Sequence, residues 1–388
     1  MATALAQGAQ RSLQHNSCEG DDMVAILARQ LWRDGAMCAD QLVHMDATSI
    51  RAIQPFRKQP YDQEVALVAP ALTDLQVNGS GGVMLNSNPD ISAIRHIVAT
   101  QRARGTGWVM PTLITCEAAK MHRAADAALA AQGLPGFVGL HLEGPHLNPS
   151  RRGTHSADHI RAFDRDTLDI VAKLRARDLP VKVTLAPECV AGDDIRTLVK
   201  LGAVVSAGHS AASAEQARTG FALGIGCVTH LYNAMPQMGS RAPGLLAAAI
   251  LSDAYSGIII DGHHVAWDMV ALACRARPKD RMFMVSDAMA TIGGPDQFEL
   301  YGEQILVRDG ALVNAQGALA GAHVDLVTCL RNAVVNVGLD LHDAYQMAAI
   351  TPRDVMGLDH PQIAPGTPLE EVLILDADLH RCDPDRFL

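Results

Sequence analysis

The stretch Phe137-Val138-Gly139-Leu140-His141-Leu142 runs without a break into Glu143-Gly144-Pro145-His146, an apolar run that ends in polar, chemistry-bearing side chains. Seven other short apolar runs share its character: Leu67–Val77, Trp108–Ile114, Val181–Ala186, Val204–Ala207, Cys227–Leu231, Gly257–Ile260 and Met282–Ser286. Ala/Arg/Asp-rich stretches of helical character separate them, the alternation of a parallel sheet. Eight such strands with intervening helices predict an α/β fold, a TIM (β/α)8 barrel, whose chemistry sits at the C-terminal ends of the strands.

Working outward, Phe298–Ala318 reads as a hairpin excursion with turns at Asp309-Gly310 and Gln316-Gly317. Two helices are expected after it, near Asp325–Val337 and Leu341–Ile350. Residues 21–66 and 361–388 fall outside the barrel pattern and predict a small β-sandwich-like domain built from both chain ends, leaving 67–360 as the barrel domain. Residues 1–20 lack an apolar signal core and a cleavage pattern, and read as a disordered start.

Composition narrows the function class. Hydrophobic residues make up 48% and charged residues 19%, enough for a packed core. A net charge of −10 disfavours nucleic-acid partners. No stretch approaches the roughly 18 apolar residues of a membrane helix. The eight cysteines are scattered without a C-x-x-C pair, which points to reduced thiols and a cytoplasmic protein.

The strand ends carry the chemistry. The third ends in Glu143, the fifth in Gly208-His209-Ser210, the sixth in Thr229-His230-Leu231-Tyr232-Asn233-Ala234-Met235 and the eighth in Ser286-Asp287-Ala288. A barrel brings these ends to one mouth. Glu143, His209 and His230 have the composition of a catalytic zinc site with an open position for water. Such a metal lowers the pKa of its water to about 7. Asp287 is placed to take a proton and later return it. Each residue alone has an ordinary structural reading, a hydrogen-bonded histidine or a helix cap; their joint occurrence at strand ends favours the metal site. His141 and His146 read as wall and loop residues, and His44, His96, His122, His342, His360 and His380 as surface.

These motifs, with Pro70-Ala71-Leu72-Thr73-Asp74-Leu75-Gln76-Val77-Asn78-Gly79, Gly153-Thr154-His155, Asp261-Gly262, His264-Val265 and Leu319-Ala320-Gly321, resemble the N-acetylglucosamine-6-phosphate deacetylases of the amidohydrolase superfamily from about Pro70 to Gly357. The resemblance implies a homodimer, Glu143, His209 and His230 as metal ligands, and Asp287 as catalytic acid–base. It also implies His155 as a donor to the substrate carbonyl and substrate contacts at Thr154, His155, Asn233, Ala234, Arg241, Asp261, His264 and Leu319, Ala320, Gly321 and Ala322. Many amidohydrolases carry His-x-His at the end of the first strand. Gln76-Val77-Asn78 stands there, and amides are poor zinc ligands, so one divalent ion per subunit, Zn2+, is expected. Ala71 replaces a usual Gly, Ala322 a common Ser, and the tail after Gly366 is short enough to predict a missing edge strand.

The expected reaction is hydrolysis of the acetamide of N-acetyl-D-glucosamine 6-phosphate to D-glucosamine 6-phosphate and acetate. The sibling reading is the galacto epimer. Another amidohydrolase, acting on cyclic imides or N-acyl amino acids, is disfavoured by the missing His pair. A metal-free barrel serving as a binding protein is disfavoured by the intact acidic and imidazole set.

Overall fold

A computed structural model describes residues 23–387 of the chain, so the expected disordered segment 1–20 lies outside the described residues. Eight parallel strands form one sheet in chain order: Thr73–Val77, Trp108–Ile114, Leu140–Glu143, Val181–Leu185, Val204–Ala207, Cys227–Val228, Tyr255–Ile258 and Met282–Met284. A parallel bridge between Val77 and Ala288, with the Asp287 amide donating to the Gln76 carbonyl at 3.0 Å, joins the last strand to the first. The barrel is thereby closed.

The run 67–77, expected as one strand, is two. Gln63–Pro70 belongs to a separate five-stranded sheet, and the chain enters the barrel only at Thr73. Pro70 cannot donate to a ladder, and the Leu72 amide turns instead to the Gly105 carbonyl, 3.0 Å away. Leu67–Pro70 is apolar and Thr73–Val77 is buried throughout, with Leu75 and Val77 among its residues, so the sequence pattern alone runs the two together.

The five-stranded sheet contains Val24–Arg33, Ala36–Met45, Ile50–Pro55, Gln63–Pro70 and Val372–Leu375. The last of these pairs antiparallel with Gln63–Pro70 at the sheet's edge. The short tail therefore does supply an edge strand, contrary to expectation. Four apolar residues, Val372-Leu373-Ile374-Leu375, suffice because each is buried.

The excursion after the eighth strand has three strands, Gln297–Leu300, Glu303–Arg308 and Ala311–Val313, not a single hairpin. Its first turn is Tyr301-Gly302, where both residues have positive φ; Tyr301 gave no turn signal. Ala320 and Leu312 from this arm pack with Met289 and Ile114, which anchors it over the barrel mouth. The two expected helices follow as Leu326–Val335, capped by the Asp325 carboxylate, and as Leu341–Tyr345, which continues through a π-helical turn at Gln346–Ile350. Among the described residues no helix is long and apolar enough to cross a membrane.

Candidate active site

Strand ends that run straight would carry their last side chains past the mouth. Here three of them turn abruptly: His209, His230 and Asp287 have φ of 47°, 30° and 52°. A left-handed conformation is uncommon for such residues and persists only where the surroundings over-determine it. The turns aim two imidazoles and a carboxylate inward, toward Glu143 at the end of the third strand.

There, His209 Nε2 lies 3.2 Å from Glu143 Oε1, His230 Nε2 lies 3.0 Å from the same oxygen, and the two ring nitrogens are 3.0 Å apart. Ligands about 2.0–2.1 Å from a tetrahedral zinc are roughly 3.3 Å from one another, so this triangle of donors fits one small cation. His209 Nδ1 is 2.9 Å from the Arg151 carbonyl and must donate to it, which leaves the Nε2 lone pair facing the triangle.

Electrostatics point the same way. Burial works against ionised Glu143, but the adjoining imidazoles of His209 and His230 outweigh it and hold the carboxyl well below its ordinary range. Burial likewise opposes charge on His230, yet the hydrogen bond and charge of Glu143 raise its pKa. With protein groups alone, a proton on His230 balances Glu143. A divalent cation would displace that proton and take over its role.

Gln76 and Asn78, which stand where a His pair is often found, have a positive role. Gln76 Nε2 donates to Glu143 Oε1 and to Asp287 Oδ1, each at 3.1 Å, and Asn78 Nδ2 donates to Asp287 Oδ1 at 2.6 Å. Oδ1 of Asp287 is thus held by two amides and Oδ2 is left toward the cavity. Burial, reinforced by the nearby negative charge of Glu143, raises the pKa of Asp287.

His155 sits against this cluster, its ring 4.4 Å from that of His209 between centroids. One of its nitrogens comes within 4.8 Å of donor atoms of Glu143 and His209. That spacing is looser than the triangle that includes His230, and His155 Nδ1 is already engaged: the Thr115 hydroxyl lies 2.8 Å away and the Thr115 amide donates to it at 3.4 Å. An accepting Nδ1 puts the ring proton on Nε2. Burial first, and the neighbouring His209 second, hold the pKa of His155 well below the usual histidine value, so it is a neutral donor.

These groups open on a cavity of about 220 Å³, lined also by Asn78, Ile114, Thr154, Asn233, Ala234, His264, Met289, Leu319 and Gly321. Asp261 stands behind His264, 2.7 Å from its Nδ1. Ala320 and Ala322 are buried beside the cavity without lining it. Arg241 is exposed on the loop before Gly244 and does not line the cavity. The apolar wall of Ile114 and Met289 escaped the sequence reading because such residues look like any core position. Thr115 also escaped it, since nothing in its spacing relates it to His155, 40 residues away.

His141 and His146 sit as expected, one in the barrel wall and the other in the loop after Pro145. His141 bonds to Thr112 and Thr184 within the barrel, and His146 to Thr167 and the Arg161 carbonyl.

A parallel barrel with a buried carboxylate–diimidazole triangle at its mouth and an aspartate held by one oxygen beside it defines a class, the metal-assisted barrel hydrolases. The amidohydrolase family model matches residues 67–368, and the chain belongs to that family. It is 38% identical to the N-acetylgalactosamine-6-phosphate deacetylase of Shewanella sp. (strain ANA-3), over 75% of this chain and 74% of the relative. It is 32% identical to the N-acetylglucosamine-6-phosphate deacetylase of Haemophilus influenzae, over 74% of this chain and 76% of the relative. The crystal structure of N-acetylglucosamine-6-phosphate deacetylase from Pasteurella multocida superposes with a TM-score of 0.82 at 30% identity, covering 92% of this chain and 97% of that one.

Proposed function

We propose that this chain hydrolyses the acetamide of an N-acetylhexosamine 6-phosphate, foremost N-acetyl-D-glucosamine 6-phosphate, releasing acetate and the amino-sugar phosphate. The observation that carries the reading is the donor triangle of Glu143, His209 and His230, with sides of 3.0–3.2 Å, beside an aspartate held by one oxygen only. These three residues would hold one zinc ion, which activates water and polarises the amide carbonyl.

The chain's own residues do the rest. Gln76 and Asn78 hold Asp287 by Oδ1, so that Oδ2 accepts a proton from the attacking water. The neutral His155 donates from Nε2 to the carbonyl oxygen as negative charge builds there. Asp287 Oδ2 then passes its proton to the amine nitrogen, and the carbon–nitrogen bond breaks. Asn233 Nδ2 is buried without a partner beside Ala234 and His264, and supports a phosphate subsite on that side of the cavity. His264 Nδ1 faces Asp261 Oδ2 at 2.7 Å, which fixes the ring's orientation. The same reading includes a homodimer whose exposed Arg241 would meet the phosphate of a neighbouring site, and a cytoplasmic location in keeping with seven free cysteines among the described residues.

The galacto epimer is a second reading, favoured by relatives named for it: the Shewanella protein and one from Escherichia coli O157:H7, 31% identical over 92% of this chain and 96% of the relative. Acetate release from both epimeric 6-phosphates and from the unphosphorylated sugars, with and without a chelator, tests the proposal. Turnover of a 6-phosphate that the chelator abolishes and zinc restores is the expected result. Equal turnover of the unphosphorylated sugars removes the phosphate subsite, and chelator-insensitive activity removes the metal.

A further inference from the structure

The reaction cavity has an annex. Gly153 and Thr154 line both it and a second chamber of about 560 Å³, so the two spaces adjoin along this segment. One wall of the chamber is the loop that carries His155, with Arg152, Ser156 and Asp158. The other is the inserted three-stranded arm, with Tyr301, Glu303, Asn314 and Gln316. Hydroxyl, amide, carboxylate and guanidinium groups therefore face a space that neither the acetamide nor the phosphate of the proposed substrate needs. Tyr301 is fixed within it: its hydroxyl donates to the Thr115 carbonyl at 2.5 Å while its residue remains 37% exposed.

We propose that this chamber is a subsite for a second, uncharged sugar, joined to the ring carbon next to the one bearing the acetamide. The proposal rests on the deacetylase reading above. Three observations lead to it. An apolar extension such as a longer acyl chain would want apolar walls, and this chamber is dominated by hydrogen-bonding side chains around one aromatic ring, the mixture that suits a hydroxylated ring with apolar faces. The chamber lies next to the metal-type cluster across Gly153, where an added Cβ would stand 3.6 Å from the His209 ring. That is the acetamide end of the cavity. On a 2-acetamido sugar the neighbouring carbon toward the ring oxygen is the anomeric one, where sugars are joined to one another.

The test uses the full-length zinc-loaded enzyme and N-acetylglucosamine 6-phosphate linked through its anomeric carbon to a second N-acetylglucosamine. Acetate release from this disaccharide is compared with that from the monosaccharide phosphate. The expected kcat/KM for the disaccharide is within about tenfold of the monosaccharide value or above it. Ala318→Trp, which fills the chamber from the arm, and Gln316→Ala, which removes one donor, should each lower disaccharide turnover about tenfold or more while leaving the monosaccharide within roughly threefold. Ala318 and Gln316 are exposed, so folding is not at stake. A disaccharide that is neither cleaved nor competitive with an actively turned-over monosaccharide overturns the subsite. So does equal loss on both substrates in the two variants. An enzyme inactive on the monosaccharide phosphate would instead refute the deacetylase reading from which the subsite follows.

Discussion

Replacing Asp287 with asparagine separates proton transfer from everything else in the site. Oδ1 accepts from Gln76 and Asn78 at 3.1 and 2.6 Å, so the asparagine oxygen must occupy that position; the reverse orientation would set its NH2 against two donors. The NH2 then stands where Oδ2 stood and cannot accept a proton. General acid–base catalysis contributes about 10²–10⁴-fold, or roughly 3–5 kcal/mol of barrier, and kcat should fall by that amount. KM should change little, because the phosphate and carbonyl contacts proposed for Asn233, His264 and His155 are untouched. The variant should retain its metal, since none of the three triangle donors is altered. It should also be no less stable, because burial and the charge of Glu143 already disfavour the ionised form of Asp287. The assay is steady-state acetate release, with metal content measured on the same preparation. A variant with its metal bound and kcat within a few-fold of wild type would refute the assignment of the proton to Asp287.

Two further substitutions probe the barrel interior. Lys182 is fully buried with no hydrogen-bond partner for its Nζ, which stands over the Phe283 ring at 6.0 Å, and burial lowers its pKa. Lys182→Met, of similar volume, should raise stability by on the order of 1–3 kcal/mol at pH 7. The unfolded chain binds this lysine's proton more readily than the folded one, so the advantage should shrink as pH climbs toward 10.5, a trend measured by denaturant titration at several pH values. Asp74 is buried and accepts from the Gln76 and Ser286 amides, and burial pushes its pKa up to about 7. A raised acid favours folding only while protonated; the stability of wild type relative to Asp74→Asn should therefore decline by up to roughly 4 kcal/mol from pH 4 to 7 and level off above. A pH-independent difference between the two proteins would count against this reading.

The sequence was most readable where a side chain's type and its place at a strand end carry the message. Glu143, His209, His230 and Asp287 are separated by up to 144 residues, yet parallel strand ends share one mouth by topology, so periodicity alone brings them together. What it could not supply was local backbone form. Nothing in Gly208-His209 or Thr229-His230 announces a left-handed histidine, because that conformation is imposed by closure of the barrel. Gln76 and Asn78 read only as an absence of imidazole; their amide donors acquire meaning once Asp287 lies within hydrogen-bonding reach, 209 residues from Asn78. The division of 67–77 at Ala71-Leu72 was equally silent, since buried Leu67–Pro70 and Thr73–Val77 lie in different sheets yet follow one another with only the apolar Ala71-Leu72 between them.

That division has a consequence for how the protein is made. The strand Gln63–Pro70 leads within two residues into the strand that presents Gln76, yet its outer neighbour is Val372–Leu375. During synthesis nearly the whole barrel emerges before that neighbour exists. Until then the row of amides and carbonyls on Gln63–Pro70 has only Val24–Arg33 to pair with, and its other side is bare. The nascent chain must carry an open, apolar β-edge while the barrel is made, and the edge is sealed only once Val372–Leu375 has followed it.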